Sequence, residues 1–291
     1  MQSVFPSQGS NGHYTIKRVT CSSDGSIVIV HFAAGPTYRS TNFGVSFAVM
    51  GIFIGNGQAV VNSLTYCAGT AYCGVDDTIE VAMTPTGSTV VVANPGGYVW
   101  ISSNSGASFT ATLTSFAQNW NALSVSADGQ TIVAGQFGNE FLQNGAGSWS
   151  PNPNPNYIYV SHDGGGTWAS VFISAGANWY ASRMSANGTV VTMSSTGADA
   201  HTYLSIDSGV TWSAILPQLS LTHSVVMSAD GTRLAARGVD DNLYTSTNTG
   251  VSWINRGPSS GCAPQAASSD LSRLVAFCPG ANSMTDLYTS P

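Results

Sequence analysis

The chain has 291 residues and a formal net charge of −6, yet only 8% of its residues are charged, against roughly 25% in ordinary soluble domains. Lysine occurs once, at Lys17, while Ser, Thr, Asn and Gly number 41, 27, 19 and 32, and 43% of residues are hydrophobic. A disordered chain pairs low hydrophobicity with high net charge, and a nucleic-acid binder needs a basic surface, so both are excluded. No apolar run approaches the roughly 18 residues of a membrane-spanning helix, and Met1 to Gly12 lacks the basic start and apolar stretch of a secretory signal.

Read in order, the chain repeats itself. Ser23-Asp24-Gly25 opens the series, between strand-like runs that include Ser26 to His31. Asp-Gly turns supply the positive φ angles of tight hairpins. Eighteen residues on, at Ser40-Thr-Asn42-Phe-Gly44-Val-Ser46-Phe47, lies a second turn motif. The pair recurs at Pro85-Thr-Gly87 with Asn104, at Ala127-Asp-Gly129 with Asp163, at Ala186-Asn-Gly188 with Asp207, and at Ala229-Asp-Gly231 with Asn248. A sixth hairpin turn, Ser269-Asp-Leu271, has no second motif after it. From hairpin to second motif the distance is 18 residues in repeats one, two and five (24 to 42, 86 to 104, 230 to 248) and 20 in repeat four. Repeat three is longer by about 17, and a further excess of about 20 separates Asn42 from Thr86. These excesses are insertions at 51–77 and 137–156. Two hairpins per repeat make a four-stranded antiparallel sheet, and such repeats build propellers.

The second motif, S-x-[D/N]-x-G-x-[S/T]-[W/F], resembles the Asp box of sialidase-type β-propellers, carried here by Asn42, Asn104, Asp163, Asp207 and Asn248. The resemblance covers nearly the whole chain. The fold class expected is all-β: a single six-bladed β-propeller over 1–291, of four-stranded antiparallel blades. Thr285 to Ser290 matches the third strand of repeat five, and the chain then stops at Pro291. Residues 1–10, with Ser3-Val-Phe5 matching the end of a box, are therefore expected to close the last blade, or less readily a neighbouring subunit's blade. That closure removes an open edge.

Alternate turns of a four-stranded sheet share an end. Both motifs therefore belong to one face, and both insertions to the other. That second face would carry ligands. Trp120, Trp179, Tyr180 and Trp149 are candidate sugar-stacking aromatics, with His223 nearby. Asp76, Asp77, Asp240 and Asp241 are the candidate ligands of a cation such as Ca²⁺, although no spacing resembles a calcium loop; no cofactor is expected otherwise.

Cys262 and Cys278 lie eight residues either side of Asp270 and face each other across that hairpin. Cys67 and Cys73 could close a small loop, which leaves Cys21 over. Disulfides suit an oxidising compartment. Asn187-Gly-Thr189 is an N-glycosylation sequon on a hairpin tip.

Sialidases, to which the boxes make the chain similar, use three arginines and a Tyr–Glu pair with an Asp. Here seven arginines are scattered, Glu occurs only at Glu80 and Glu140, and the two carboxylates of a glycosidase cannot be paired. No catalytic residue is assigned, and the chain is not expected to be an enzyme. The reading is an extracellular or cell-surface structural or interaction protein, such as a matrix, surface-layer or fibril subunit. The alternative is a lectin. Partners would be other protein subunits, in a homo-oligomer or filament, or glycans, with neither nucleic acid nor a membrane span involved.

Overall fold

The computed structural model describes residues 16–32, 37–50, 52–54, 58–60, 79–93, 97–118, 120–137, 141–143, 149–151, 156–174, 176–197, 200–215, 225–259, 262–279 and 285–289, with the backbone alone described at 52–54, 58–60, 97, 114–118, 141–143, 149–151, 277–279 and 285–289. The chain falls into two compact units, 1–121 with 141–151, and 122–140 with 152–291. Every regular element among the described residues is a strand, and none of these residues forms a helix long and apolar enough to cross a membrane.

Strands follow chain order within five four-stranded antiparallel sheets. The first holds Ile16–Cys21, Val28–Phe32, Thr37–Ser40 and Ala48–Val49. In the second are Glu80–Met83, Val90–Ala93, Gly97–Ser102 and Thr110–Gln118. The third takes Trp120–Val125, Ile132–Gln136, Ile158–Ser161 and Ala169–Val171. The fourth has Ala177–Met184, Val191–Gly197, Thr202–Ser205 and Ser213–Ile215, and the fifth Val226–Met227, Leu234–Arg237, Asn242–Ser246 and Ile254–Pro258. Repeat six contributes three strands, Ala263–Ala267, Leu274–Pro279 and Thr285–Thr289. Residues 1–10, expected to supply its fourth, lie outside the described residues. Each insertion carries a two-stranded hairpin, Ile52–Ile54 with Gln58–Val60 and Phe141–Gln143 with Trp149–Pro151.

The second strands are the most deeply buried. Val90 to Ala93 and Ile132 to Ala134 expose nothing. A strand covered on both faces reads as a continuous apolar run, which is why these segments do not alternate. Core clusters form between neighbouring sheets, such as Val133, Val160, Trp179 and Met193 in the second unit and Ile29, Val90, Val92 and Trp100 in the first.

Each hairpin turn closes on one hydroxyl. Ser22 Oγ accepts the Ile27 N–H at 3.0 Å and donates to Asp24 Oδ1 at 2.6 Å, while Asp24 Oδ1 takes the Ser26 N–H at 2.9 Å. Ser126, Ser185, Ser228 and Ser268 repeat this with Asp128, Asn187, Asp230 and Asp270. Thr84 also accepts the equivalent N–H, from Thr89 at 3.1 Å.

The hairpin turns also join sheet to sheet. In the first unit the Ser23 N–H donates to Pro85 O at 2.7 Å. In the second, Ala127 donates to Ala186 O, Ala186 to Ala229 O and Ala229 to Ser269 O, at 2.6–2.7 Å. The approach is close enough to require glycine. A Cβ on Gly231, where φ is +74°, would sit 2.7 Å from the Val190 side chain. Leu271 takes the same left-handed conformation, φ +56°, in the turn whose glycine is missing.

Cys262 is disulfide-bonded. Ala263 pairs with Phe277, so the next step of the register brings Cys278 opposite Cys262; the Cys278 side chain, like Cys67 and Cys73, lies outside the described residues. Cys21 is a free, exposed thiol.

Gly231→Ala should cost about 3 kcal/mol, from left-handed strain plus overpacking, and Leu271→Gly should gain about 1 kcal/mol by relieving such strain. Equilibrium denaturation of both variants reads the two signs. Equal and small effects would contradict this account of the turns.

Candidate functional site

Two ends of the sheets compete as sites, and the turn-bearing end is built from the box sequence itself. In the box of sheet four, Ser205 Oγ donates to Asp207 Oδ1 at 2.7 Å and accepts the Gly209 N–H at 2.8 Å. Asp207 Oδ1 takes the Thr211 N–H at 2.8 Å, and the Trp212 indole donates to Gly209 O at 2.9 Å. Asn serves as well as Asp: in sheet five Asn248 Oδ1 accepts the Ser252 N–H at 2.9 Å and Nδ2 donates to Ser252 Oγ at 2.9 Å. Asn42, Asn104 and Asp163 make the same loop bond to residue i+4.

The residue after each Asx takes a positive φ, as in Phe43, Ser105, Gly164, Ser208 and Thr249. Its N–H reaches the hairpin turn of its own sheet: Phe43 to Ser26 O, Ser105 to Ser88 O, Gly164 to Gln130 O, Ser208 to Thr189 O and Thr249 to Thr232 O, at 2.8–3.2 Å. The two motifs are thus clamped together at one end of every four-stranded sheet.

This clamp leaves apolar side chains outside. Phe43 and Val45 in the first unit, and Ile206, Val210 and Val251 in the second, are between 61% and 84% exposed. In the second unit, Ile206, Trp212, Thr249, Val251 and Trp253 line a groove of about 530 Å³ between the boxes of sheets four and five. No charged residue lines it.

The opposite end does not assemble the expected ligand site. Trp120 and Trp179 are 1% and 0% exposed, so neither offers a face to a sugar, and this corrects the assignment. Trp179 packs edge-on against Tyr203 at 5.6 Å, and its indole donates to Asn156 O at 2.9 Å. Trp179 thus fills the space between the third and fourth sheets, against Ala122, Val133, Ile158 and Val160. Tyr180 buries its hydroxyl, and burial raises its pKa. His223 and the side chain of Trp149 lie outside the described residues.

The described half of the candidate cation site is engaged locally. Asp240 accepts from Tyr244 Oη at 2.7 Å and from Asn242 N and Nδ2 at 3.2 and 2.8 Å. Asp241 pairs with Arg237. Both carboxylates thus serve their own turn, and no group of three or more His, Cys, Asp or Glu gathers among the described residues. Asp76 and Asp77 lie outside them. At the same end of the first unit Glu80 is buried and ion-paired with Arg18.

One row of residues escaped sequence reasoning. Tyr38, Trp100, Tyr159, Tyr203 and Tyr244 each stand four residues before a box Asx. Tyr38, Trp100 and Tyr159 are buried, and all five stand on third strands. The signal was legible as a fixed offset from the box.

The aspartates in the turns are strong acids for a plain reason. Hydroxyl and N–H donors stabilise the charged form. The Ser22 hydroxyl, followed by the Ser26 N–H, holds Asp24 at about 2. The Thr167 N–H and hydroxyl, with the Ser161 hydroxyl, hold Asp163 at about 2. Asp128, Asp230 and Asp270 are lowered likewise, each chiefly by its turn serine.

Repeated four-stranded antiparallel sheets in an all-strand chain define a propeller-type protein, and the known structures bear out that class. Neither a family model nor a curated protein matches the chain. The crystal structure of an ancestral GH74 enzyme superposes with a TM-score of 0.60 at 16% identity, over 99% of this chain and 39% of that one. YCF48 from Cyanidioschyzon merolae superposes with a TM-score of 0.54 at 11% identity, over 90% of this chain and 79% of that one. At these identities the likeness is one of fold, and this chain spans only 39% of the length of the GH74 protein. The expectation that the chain is not an enzyme is nonetheless overturned, because its fold is shared with a propeller glycoside hydrolase. Scattered arginines argue against a sialidase only.

Carboxyls with depressed folded pKa values stabilise the fold above their unfolded value near 4. That stability is lost as pH falls from about 4 towards 2. Thermal melts should therefore be flat from pH 8 to 5 and decline below pH 4. Asp24→Asn and Asp163→Asn should flatten the decline, since Asn187 and Asn248 already hold such turns. A decline that begins at pH 6, or that both variants leave unchanged, would assign acid sensitivity elsewhere.

Proposed function

We propose that the chain is a six-bladed Asp-box β-propeller, one domain over 1–291, whose last blade is closed by residues 1–10. It acts as an extracellular or cell-surface structural or interaction protein, in the manner of a matrix, surface-layer or fibril subunit. The observation that carries this reading is the placing of apolar side chains at the box turns. Phe43, Val45, Ile206, Val210 and Val251 occupy loops where a polar residue would cost nothing, and each is more than 60% exposed. Apolar surface gathered at one end of repeated sheets is what an association face requires. The sparse charge of the chain leaves little repulsion between copies. The disulfide at Cys262 suits an oxidising compartment.

A second reading rests on the likeness to the GH74 enzyme: a glycoside hydrolase. The lectin alternative loses two of its aromatic anchors, since Trp120 and Trp179 are interior.

Light scattering on the native protein tests the association reading. We expect assemblies larger than one chain, and a shift towards monomer of tenfold or more in dissociation constant on Val210→Asp with Val251→Asp, about 1.4 kcal/mol. A monomeric wild type that the double variant leaves unchanged would overturn it. Release of reducing ends from soluble polysaccharides would support the second reading instead.

A further inference from the structure

Asn187 is the turn residue whose amide nitrogen takes no part in holding the turn. Its Oδ1 accepts from Ser185 Oγ at 2.7 Å, Thr189 N at 3.1 Å and Thr189 Oγ1 at 2.8 Å. These are the bonds that the carboxylates of Asp24, Asp230 and Asp270 make in sister turns. The box asparagines differ, because Asn42, Asn104 and Asn248 each use Nδ2 to donate to a serine hydroxyl. Asn187 is exposed, and among the described residues its bonds all fall on Oδ1, with no acceptor at Nδ2.

The turn itself accounts for the other two sequon positions. Gly188 has φ +76°, and a Cβ there would sit 2.9 Å from the Thr131 side chain. A hydroxyl two residues after the Asx recurs at Ser26, Thr232 and Ser272. Only the choice of Asn over Asp remains for the fold to explain, and it gains nothing from it. What the amide adds is a free, solvent-facing nitrogen on a rigid tip, presented with the threonine hydroxyl on its carbonyl oxygen.

We propose that Asn187 is an N-glycosylation site. The Nδ2 atom bonds to C1 of an oligosaccharide, the bond from C1 to its polyprenyl-diphosphate carrier breaks, the diphosphate leaves with the electron pair, and Nδ2 gives up one proton. The proposal rests on the extracellular reading, since such carriers face the lumen of the export route. A glycan here marks the hairpin tip of the fourth sheet as solvent-facing, so any association at this end proceeds through the box loops beside it.

The test is peptide mass spectrometry on the protein recovered from outside its own cells. We expect the Asn187 peptide to carry a hexose-containing mass that peptide-N-glycosidase removes, converting the asparagine to aspartate. The mass should disappear in Asn187→Asp and persist in Thr189→Ser, with all three proteins melting within a few degrees of one another, because sister turns already use Asp and Ser. A bare Asn187 in exported protein would overturn the glycan and leave the extracellular reading standing. Protein found only inside the cell, with Asn187 bare, would overturn both.

Discussion

The structure depends on one oxygen per turn. In each box the Oδ1 atom of Asn or Asp accepts the N–H four residues ahead and a serine hydroxyl two residues behind. Without it the loop would leave those groups to water and lose its shape, and a cap of this kind contributes about 1 kcal/mol. Because the loop is held, the next N–H points at the hairpin turn of the same sheet and bonds to it. Because that hairpin is held, its own N–H reaches the following sheet. Local turn chemistry is thereby passed on to the order of sheets.

That dependence explains what was legible in the sequence. The residues that close the turns are polar, spaced by fixed numbers and repeated, so Asp24 with Asn42 and Asp230 with Asn248 announced four strands per repeat. Five of those sheets are found. A spacing of 18 lets a box loop meet its hairpin turn, and so do 20 in repeat four and the longer chain of repeat three, whose insertion lies between. Burial was less legible. Trp120 and Trp179 read as sugar-stacking aromatics from their place on first strands, whereas both are buried and the cover of Trp179 comes from another repeat, through Ala122, Val133, Ile158 and Val160. Asp240 and Asp241 read as ligands because two adjacent carboxylates suggest a cation, and sequence does not show that Tyr244, Asn242 and Arg237 turn back to meet them. The left-handed residue after each Asx was missed because Phe43, Ser105, Gly164, Ser208 and Thr249 share no single residue type, only a backbone angle.

The same turns connect fold to function. Clamping the loops from within frees the second and sixth positions of the box, and Ile206, Val45, Val210 and Val251 stand in them. The scarcity of charge then has a place: the turn aspartates sit where they accept hydrogen bonds, and several exposed box positions carry apolar side chains. A surface of this kind suits association more than solvation, while the fold it sits on is shared with a glycoside hydrolase.

The central claim is that the Asn or Asp side-chain oxygen holds the repeat, so that at neutral pH a neutral amide can replace the carboxylate. Unfolding free energies of Asp207→Asn and Asp207→Ala at pH 7 test it most directly. The account predicts that the Asn variant stays within about 0.5 kcal/mol of wild type and the Ala variant loses about 2 kcal/mol. Equal losses in the two variants would show that the charge carries the turn, and no loss in either would show that the box is not what the fold rests on.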